Sequence, residues 1–213
     1  MMTTKVFQRV SAIFLVVAAI FLANGVAQAD PYQDIQECNA QIAQNPNDAE
    51  AYSNRGNAYY KLGQYKRAIL DFNKVIQLNP DDNFVYHSRG ESYLRLGQYK
   101  LAIQDFNKAI KQKHYVIHSI AYGSRGEAYA KLGQYKQATK DYNKAIKLGA
   151  DFPETYHNCG LAYKALGNMI LAETYLAKAS ELYYKRGLDY QERGNKAKAQ
   201  EDFAKARALG YKG

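Results

Sequence analysis

Tryptophan is absent from the 213 residues, and cysteine occurs only twice, proline four times and histidine four times. No phosphate-cradling glycine loop, HExxH pattern, nucleophile elbow or paired-carboxylate site is present, which argues against an enzymatic activity of its own. Long apolar runs are scarce as well. The stretch from Val10 to Leu22 extends over about 13 residues, short of the ~20 that a stable membrane-crossing helix needs. Four histidines do not make a metal site: His114 and His118 are four apart but lack a third ligand of the right type, and His87 and His157 lie far apart. Cofactors are therefore not expected.

The first 29 residues differ in kind from the rest. Lys5 and Arg9 give a positive start, Val10 to Leu22 an apolar core, and Ala27-Gln28-Ala29 a small-x-small cleavage site before Asp30. This pattern predicts a secretory signal peptide, with a retained amino-terminal anchor as the alternative. No cysteine stands just after the cleavage site, so lipid attachment there is unsupported. The formal charge of +9 drops by two when Lys5 and Arg9 are removed, leaving a basic chain. An exported basic chain is not expected to meet nucleic acid; acidic proteins or an anionic envelope surface are the expected kind of partner.

What the chain has in quantity is self-similarity. Gly56, Gly90, Gly126, Gly160 and Gly187 recur at steps of 34, 36, 34 and 27, and Gly63, Gly97, Gly133, Gly167 and Gly194 repeat the same steps. Two markers in one register define a tandem array. Within the unit that starts near Ala49, Tyr52, Tyr59 and Leu62 share one helical face, and Ile69, Phe72, Val75 and Ile76 resume the spacing after Gly63. Each unit thus predicts two helices, with Gly63 in the left-handed position that ends the first and Asn79-Pro80 stopping the second. Gly56 sits mid-helix at a cost of about 1 kcal/mol. Its recurrence implies close helix contact, expected against Ala68, Ala102, Ala138, Ala172 and Ala199. A helix pair cannot bury both its apolar faces, so neighbouring units must stack.

The unit, read through Tyr52, Gly56, Tyr59, Ala68, Phe72 and Pro80, resembles a tetratricopeptide repeat, with Tyr52 where that family usually has Trp and Arg55 where it usually has Leu. The resemblance covers about residues 34 to 213 and implies an all-α, right-handed α-α superhelix. Residues 30–48 align with a second helix alone and read as a half-repeat cap. Repeats are expected at about 49–82, 83–116, 119–152, 153–182 and 183–213, the last irregular. Two extra residues around Gln112 to His118, with His114 in the place of Pro80, predict an altered joint. The last step deletes seven residues; the helix that begins near Asn168 is expected to run on into the one containing Gly187, a kinked junction being the alternative.

Arg55, Arg89, Arg125 and Arg186 share one register and Asp71, Asp105, Asp141 and Asp202 another, while the fourth repeat replaces both with Cys159 and Tyr175. Joint presence and joint loss predict an Arg–carboxylate pair inside each repeat. Cys38 and Cys159 lie several repeats apart, too far for a disulfide. Buried thiols are expected, with an intermolecular contact as the alternative.

In the resembling family the first helices line a concave groove that holds a peptide. On this chain those registers hold Ser53, Asn54, Asn57 and Lys61, then His87, Ser88, Glu91 and Arg95, then Ser124, Glu127 and Lys131. Chaperone-tail-binding members clamp a terminal carboxylate with Lys, Asn and Arg. Here Ser53, Ser88 and Ile120 stand at three of those places, so that clamp is not expected. Two lysine rows, Lys66, Lys100 and Lys136, and Lys74, Lys108, Lys144, Lys178 and Lys205, are expected on the outer face. The expected role is a non-catalytic adaptor or assembly scaffold of the cell envelope, periplasmic or secreted, binding a protein or peptide in the groove. The alternatives are a surface-binding protein that uses the lysine-rich convex face, and self-association through a repeat end.

Overall fold

The computed structural model describes residues 30–111 and 117–212, in which there are ten α-helices and no strand. The leader pattern of residues 1–29, His114 and most of the lengthened turn lie outside the described residues. A single helix, α1 (Pro31–Gln44), precedes four antiparallel pairs: α2 (Ala49–Lys61) with α3 (Tyr65–Leu78), α4 (Asn83–Arg95) with α5 (Tyr99–Lys111), α6 (His118–Lys131) with α7 (Tyr135–Lys147), and α8 (Pro153–Ala165) with the first half of α9 (Met169–Glu192). α10 (Lys196–Ala208) then packs on the second half of α9.

Short-range chemistry sets the helix ends. Asp48 and Asp82 cap α2 and α4 by accepting hydrogen bonds from Ala51 N at 3.0 Å and Phe84 N at 2.9 Å, satisfying backbone donors that the first turn leaves free. Gly63 leaves α2 in the left-handed conformation, φ 72°, and the chain reverses into α3 within a few residues. Each helix packs on its predecessor and successor, and α2 touches α4, α4 touches α6 and α6 touches α8. This nearest-neighbour stacking is a right-handed α-α superhelix whose first helices line one side.

Four of the five mid-helix glycines have a ring as the nearest neighbour and Gly160 has Leu176, rather than the alanines that the sequence pattern suggests. A Cβ on Gly56 would lie 2.7 Å from the Phe72 ring, and one on Gly90 2.7 Å from Phe106. Tyr142, Leu176 and Phe203 stand in the same way over Gly126, Gly160 and Gly187. The alanines are buried nearby, and the carbonyls of Ala138 and Ala172 would lie 3.3 and 3.1 Å from a Cβ on Gly126 and Gly160. The pairing is therefore between residues sixteen apart, with a large apolar side chain, a ring in four repeats and Leu176 in the fourth, filling the space that a missing side chain leaves.

The deleted turn produces one continuous helix. α9 extends over 24 residues, about 36 Å at 1.5 Å per residue, and serves the fourth repeat with its first half and the fifth with its second. No helix among the described residues is long and apolar enough to cross a membrane.

The arginine pairs form inside each repeat. Arg55 Nε and Nη2 donate to Asp71 Oδ2 and Oδ1 at 2.9 and 2.7 Å, and Arg89–Asp105, Arg125–Asp141 and Arg186–Asp202 repeat this two-pronged contact. The third nitrogen, Nη1, reaches back one repeat: Arg55 to Asn39, Arg89 to Asn73 and Arg125 to Asn107, at 2.6–2.7 Å. Each guanidinium thus ties its own helix pair together and also binds the neighbour. In the fourth repeat Tyr175 Oη donates instead to Asn143 Oδ1 at 2.6 Å, and Asn143 Nδ2 donates to Tyr163 Oη at 2.7 Å. Arg186 finds Ala177 in the asparagine register and turns to Glu154 at 2.7 and 3.1 Å. Asn39, Asn73, Asn107 and Asn143 recur at one register of the second helices.

Candidate functional site: the concave groove

Four cavities follow one another along the first helices. The first, about 350 Å³, lies between α1 and α2 and is lined by Asp34, Gln41, Asn54, Asn57 and Lys61 among others. Asn57 also lines the second, about 350 Å³, together with Tyr60, His87, Ser88, Glu91, Ile120 and Ser124. Ile120 and Ser124 pass into a third of about 290 Å³, which Phe152, Thr155 and Asn158 close from α8 and its approach. Glu127, Tyr142 and Asn158 join that one to a fourth of about 270 Å³, bounded by Lys131 and Leu161. Shared walls make these one groove running from α1 to α8.

Most residues expected to face the groove line it: Asn54, Asn57 and Lys61, then His87, Ser88 and Glu91, then Ser124, Glu127 and Lys131. Ser53 lines none of the four cavities. Arg95 stands beside them, with Nε donating to Tyr60 Oη at 3.2 Å and Nη2 3.7 Å from Glu91. Tyr60, Tyr142, Asn158 and Leu161 were not anticipated. Asn158 and Leu161 continue the rows Asn54–Ser88–Ser124 and Asn57–Glu91–Glu127 into the fourth repeat, so the register alone would have found them.

Charge in the groove is unevenly compensated. Glu91 faces His87 Nε2 at 3.9 Å and Arg95 at 3.7 Å, and Tyr60 Oη donates to it at 3.4 Å. Glu127 has no such cation at salt-bridge distance among the described residues. Burial pushes its carboxyl above the ordinary range, with Glu91 raising it and Arg95 and Lys131 lowering it. His87 packs on the Phe106 ring at 5.6 Å and lies 3.4 Å from Ser124 Oγ. Burial holds its pKa below the ordinary 6.5, against the pull of Glu91, and burial depresses His157 in the same direction.

A histidine depressed in the folded state is protonated more readily in the unfolded chain. Protons are then taken up on unfolding below about 6.5, and stability falls as pH drops through that value. Melting temperature is expected to decline over that window, and His87→Gln to flatten part of the decline. An unchanged slope in the variant would assign the effect elsewhere.

The remaining chemistry is quiet. Cys38 and Cys159 are free and buried, and burial pushes the Cys159 thiol up to about 12, where it is not a nucleophile at neutral pH. Among the described residues no group of three His, Cys, Asp or Glu side chains is placed to hold a metal ion. Lys66, Lys100 and Lys136 are exposed on the second helices, whereas the other lysine row is partly engaged. Lys108 lies over the Tyr86 ring and Lys205 over Tyr183, and Lys178 pairs with Glu181.

An array of stacked helix pairs with a continuous groove along its first helices is a helical-repeat protein of the α-solenoid class. Family models described as tetratricopeptide repeat match residues 49–82, 84–113 and 153–183, and one described as TPR repeat matches 126–167. The chain belongs to the tetratricopeptide repeat family, whose members are generally non-catalytic interaction modules. No curated protein matches it in sequence. Among solved structures, MamA is 26% identical, with 71% of this chain and 88% of that chain covered and a TM-score of 0.65. The first TPR of Spaghetti (RPAP3), bound to the HSP90 peptide SRMEEVD, is 28% identical over 56% of this chain and 93% of its own, TM-score 0.53. YrrB, 23% identical over 81% and 92% with a TM-score of 0.59, shares the fold.

Proposed function

We propose that this protein is a non-catalytic adaptor or assembly scaffold of the cell envelope, which holds a peptide or a segment of a partner protein in the concave groove. The continuity of the groove carries the reading: four cavities with shared walls run across α1, α2, α4, α6 and α8, room for an extended segment rather than a small molecule. The Spaghetti domain, with its bound HSP90 peptide, supports a groove of this architecture as a peptide site. The lining differs from a clamp for a terminal carboxylate, since it presents Ser88 and Ile120 and the carboxylates Glu91 and Glu127. Export to the periplasm rests on the leader pattern of residues 1–29, with secretion into the medium and a retained anchor as the other destinations of such a leader.

The test is capture from an envelope extract with the full chain tagged at its carboxyl end, beside a Glu91→Lys, Glu127→Lys variant of equal helicity. One partner retained by the wild type and lost from the variant is the expected result. Equal capture by both would move the binding surface elsewhere. Loss on Lys66→Glu, Lys100→Glu with steep salt sensitivity would then point to the convex face, and a mass that rises with concentration to self-association.

A further inference from the structure

Resting on the groove reading above, the inference concerns what the groove selects. Where its third and fourth cavities meet, Glu127, Tyr142 and Asn158 line both. Tyr142 occupies the register that holds Phe72, Phe106 and Phe203 in other repeats, so packing alone does not require its hydroxyl. That hydroxyl is buried, in a residue 1% exposed, and has no hydrogen-bond partner among the described residues. Among the described residues none donates a hydrogen bond to the side chain of Glu127 or of Asn158. A buried hydroxyl left unsatisfied is destabilising, and so is a half-buried carboxylate without a counter-charge. Three polar side chains thus line one junction of the groove without partners among the described residues. Around them the walls are apolar and exposed: Ile120 and Phe152 on one side and Leu161 on the other.

We propose that Glu127, Tyr142 and Asn158 form a subsite for a lysine or arginine side chain of the bound peptide, with neighbouring apolar residues of that peptide resting on Ile120 and Phe152 on one flank and on Leu161 on the other. The cation supplies the charge that Glu127 lacks, and its N–H groups give Glu127, Asn158 and Tyr142 the donors that are missing. An acidic side chain would be repelled by Glu127. A neutral amide would bring donors but leave the carboxylate uncompensated. Glu91 is a weaker candidate for the same role because Arg95, His87 and Tyr60 already surround it.

The experiment is selection of random displayed peptides on the full chain, followed by affinities for the enriched sequences. Enriched peptides are expected to carry Lys or Arg at one fixed position between apolar residues. Changing that residue to norleucine should weaken binding about tenfold or more. Glu127→Gln should do the same, and the two changes together should cost little beyond either alone. The Glu127 carboxyl, followed by carbon NMR, should return toward its ordinary pKa when such a peptide binds. Tyr142→Phe should weaken those peptides while leaving the melting temperature equal or higher, a split that a merely structural tyrosine would not give. Peptides that bind and are lost on Glu91→Lys, yet show no basic preference and ignore Glu127→Gln, would overturn the subsite and leave the groove standing. If no peptide is enriched, the groove reading fails and the subsite with it.

Discussion

Arg89→Ala is expected to destabilise the protein by about 3 kcal/mol, because it leaves the Asp105 carboxylate buried without its partner. The pair is two-pronged, with Nε and Nη2 each 2.7 Å from the carboxylate, and the Asp105 side chain is only 6% exposed. Removing the arginine also cuts the 2.6 Å bond to Asn73, one of the polar ties between the first and second full repeats. Stability in such arrays is the sum of repeat and interface contributions. A central loss should therefore broaden or split the denaturation curve rather than shift it alone. Replacing both partners by apolar residues of similar volume, Arg89→Met with Asp105→Leu, should cost far less than Arg89→Ala. The fourth repeat already lives without the ion pair, using Cys159, Tyr175 and Asn143. Chemical denaturation of Arg89→Ala, of Arg89→Met and Asp105→Leu singly, and of the double variant decides the matter. Additive losses in the double variant would mean that the two residues stabilise the fold independently, and a silent Arg89→Ala would mean that water solvates Asp105 well enough without it.

Periodicity carried most of the architecture. The step of 34 placed helix pairs, the left-handed Gly63 and the groove rows, because stacking repeats one chemical problem and so repeats its solution in sequence. The joint absence of Arg and Asp from the fourth repeat even revealed a contact between residues sixteen apart. The step of 27 located the continuous helix α9, since removing a turn between two helical patterns leaves them in one rod. What escaped were places where the contact partner is set by geometry that spacing does not encode. The ring of Phe72 and the methyl of Ala68 both fall on the face of α3 that meets α2, and register alone cannot say which of them covers Gly56. The second role of each arginine, toward Asn39, Asn73 and Asn107, was hidden because a side chain with five donors can serve two neighbours at once. In the sequence Tyr142 is one more aromatic at the register of Phe72 and Phe106; its significance comes from a buried hydroxyl without a partner among the described residues, which only three-dimensional placement discloses.

The glycine–ring contact carries the second large effect. Gly90→Val is expected to cost about 3 kcal/mol, even though valine is the better helix former by some tenths of a kcal/mol. Its Cβ would sit 2.7 Å from Phe106 Cε1 and 2.9 Å from Cδ1, and the ring is fully buried, so it has no free direction in which to move. Either α4 and α5 separate or the ring leaves its rotamer, and both open the core that α6 packs against. Phe106→Ala alone should cost about 3–5 kcal/mol by leaving a cavity. In the double variant the valine occupies part of that cavity, so the combined loss should fall short of additivity by about 1–3 kcal/mol. Gly63 provides the contrast: nothing lies within 4 Å of an added Cβ there, and the cost of Gly63→Ala, about 1–2 kcal/mol, comes from its left-handed φ of 72° alone. That loss should be independent of Phe72, so a double-mutant cycle at Gly63 and Phe72 is expected to close to zero while the one at Gly90 and Phe106 does not. Strict additivity at Gly90 would mean that the ring does not need the glycine, and the recurrence of glycine at that register would then require another cause.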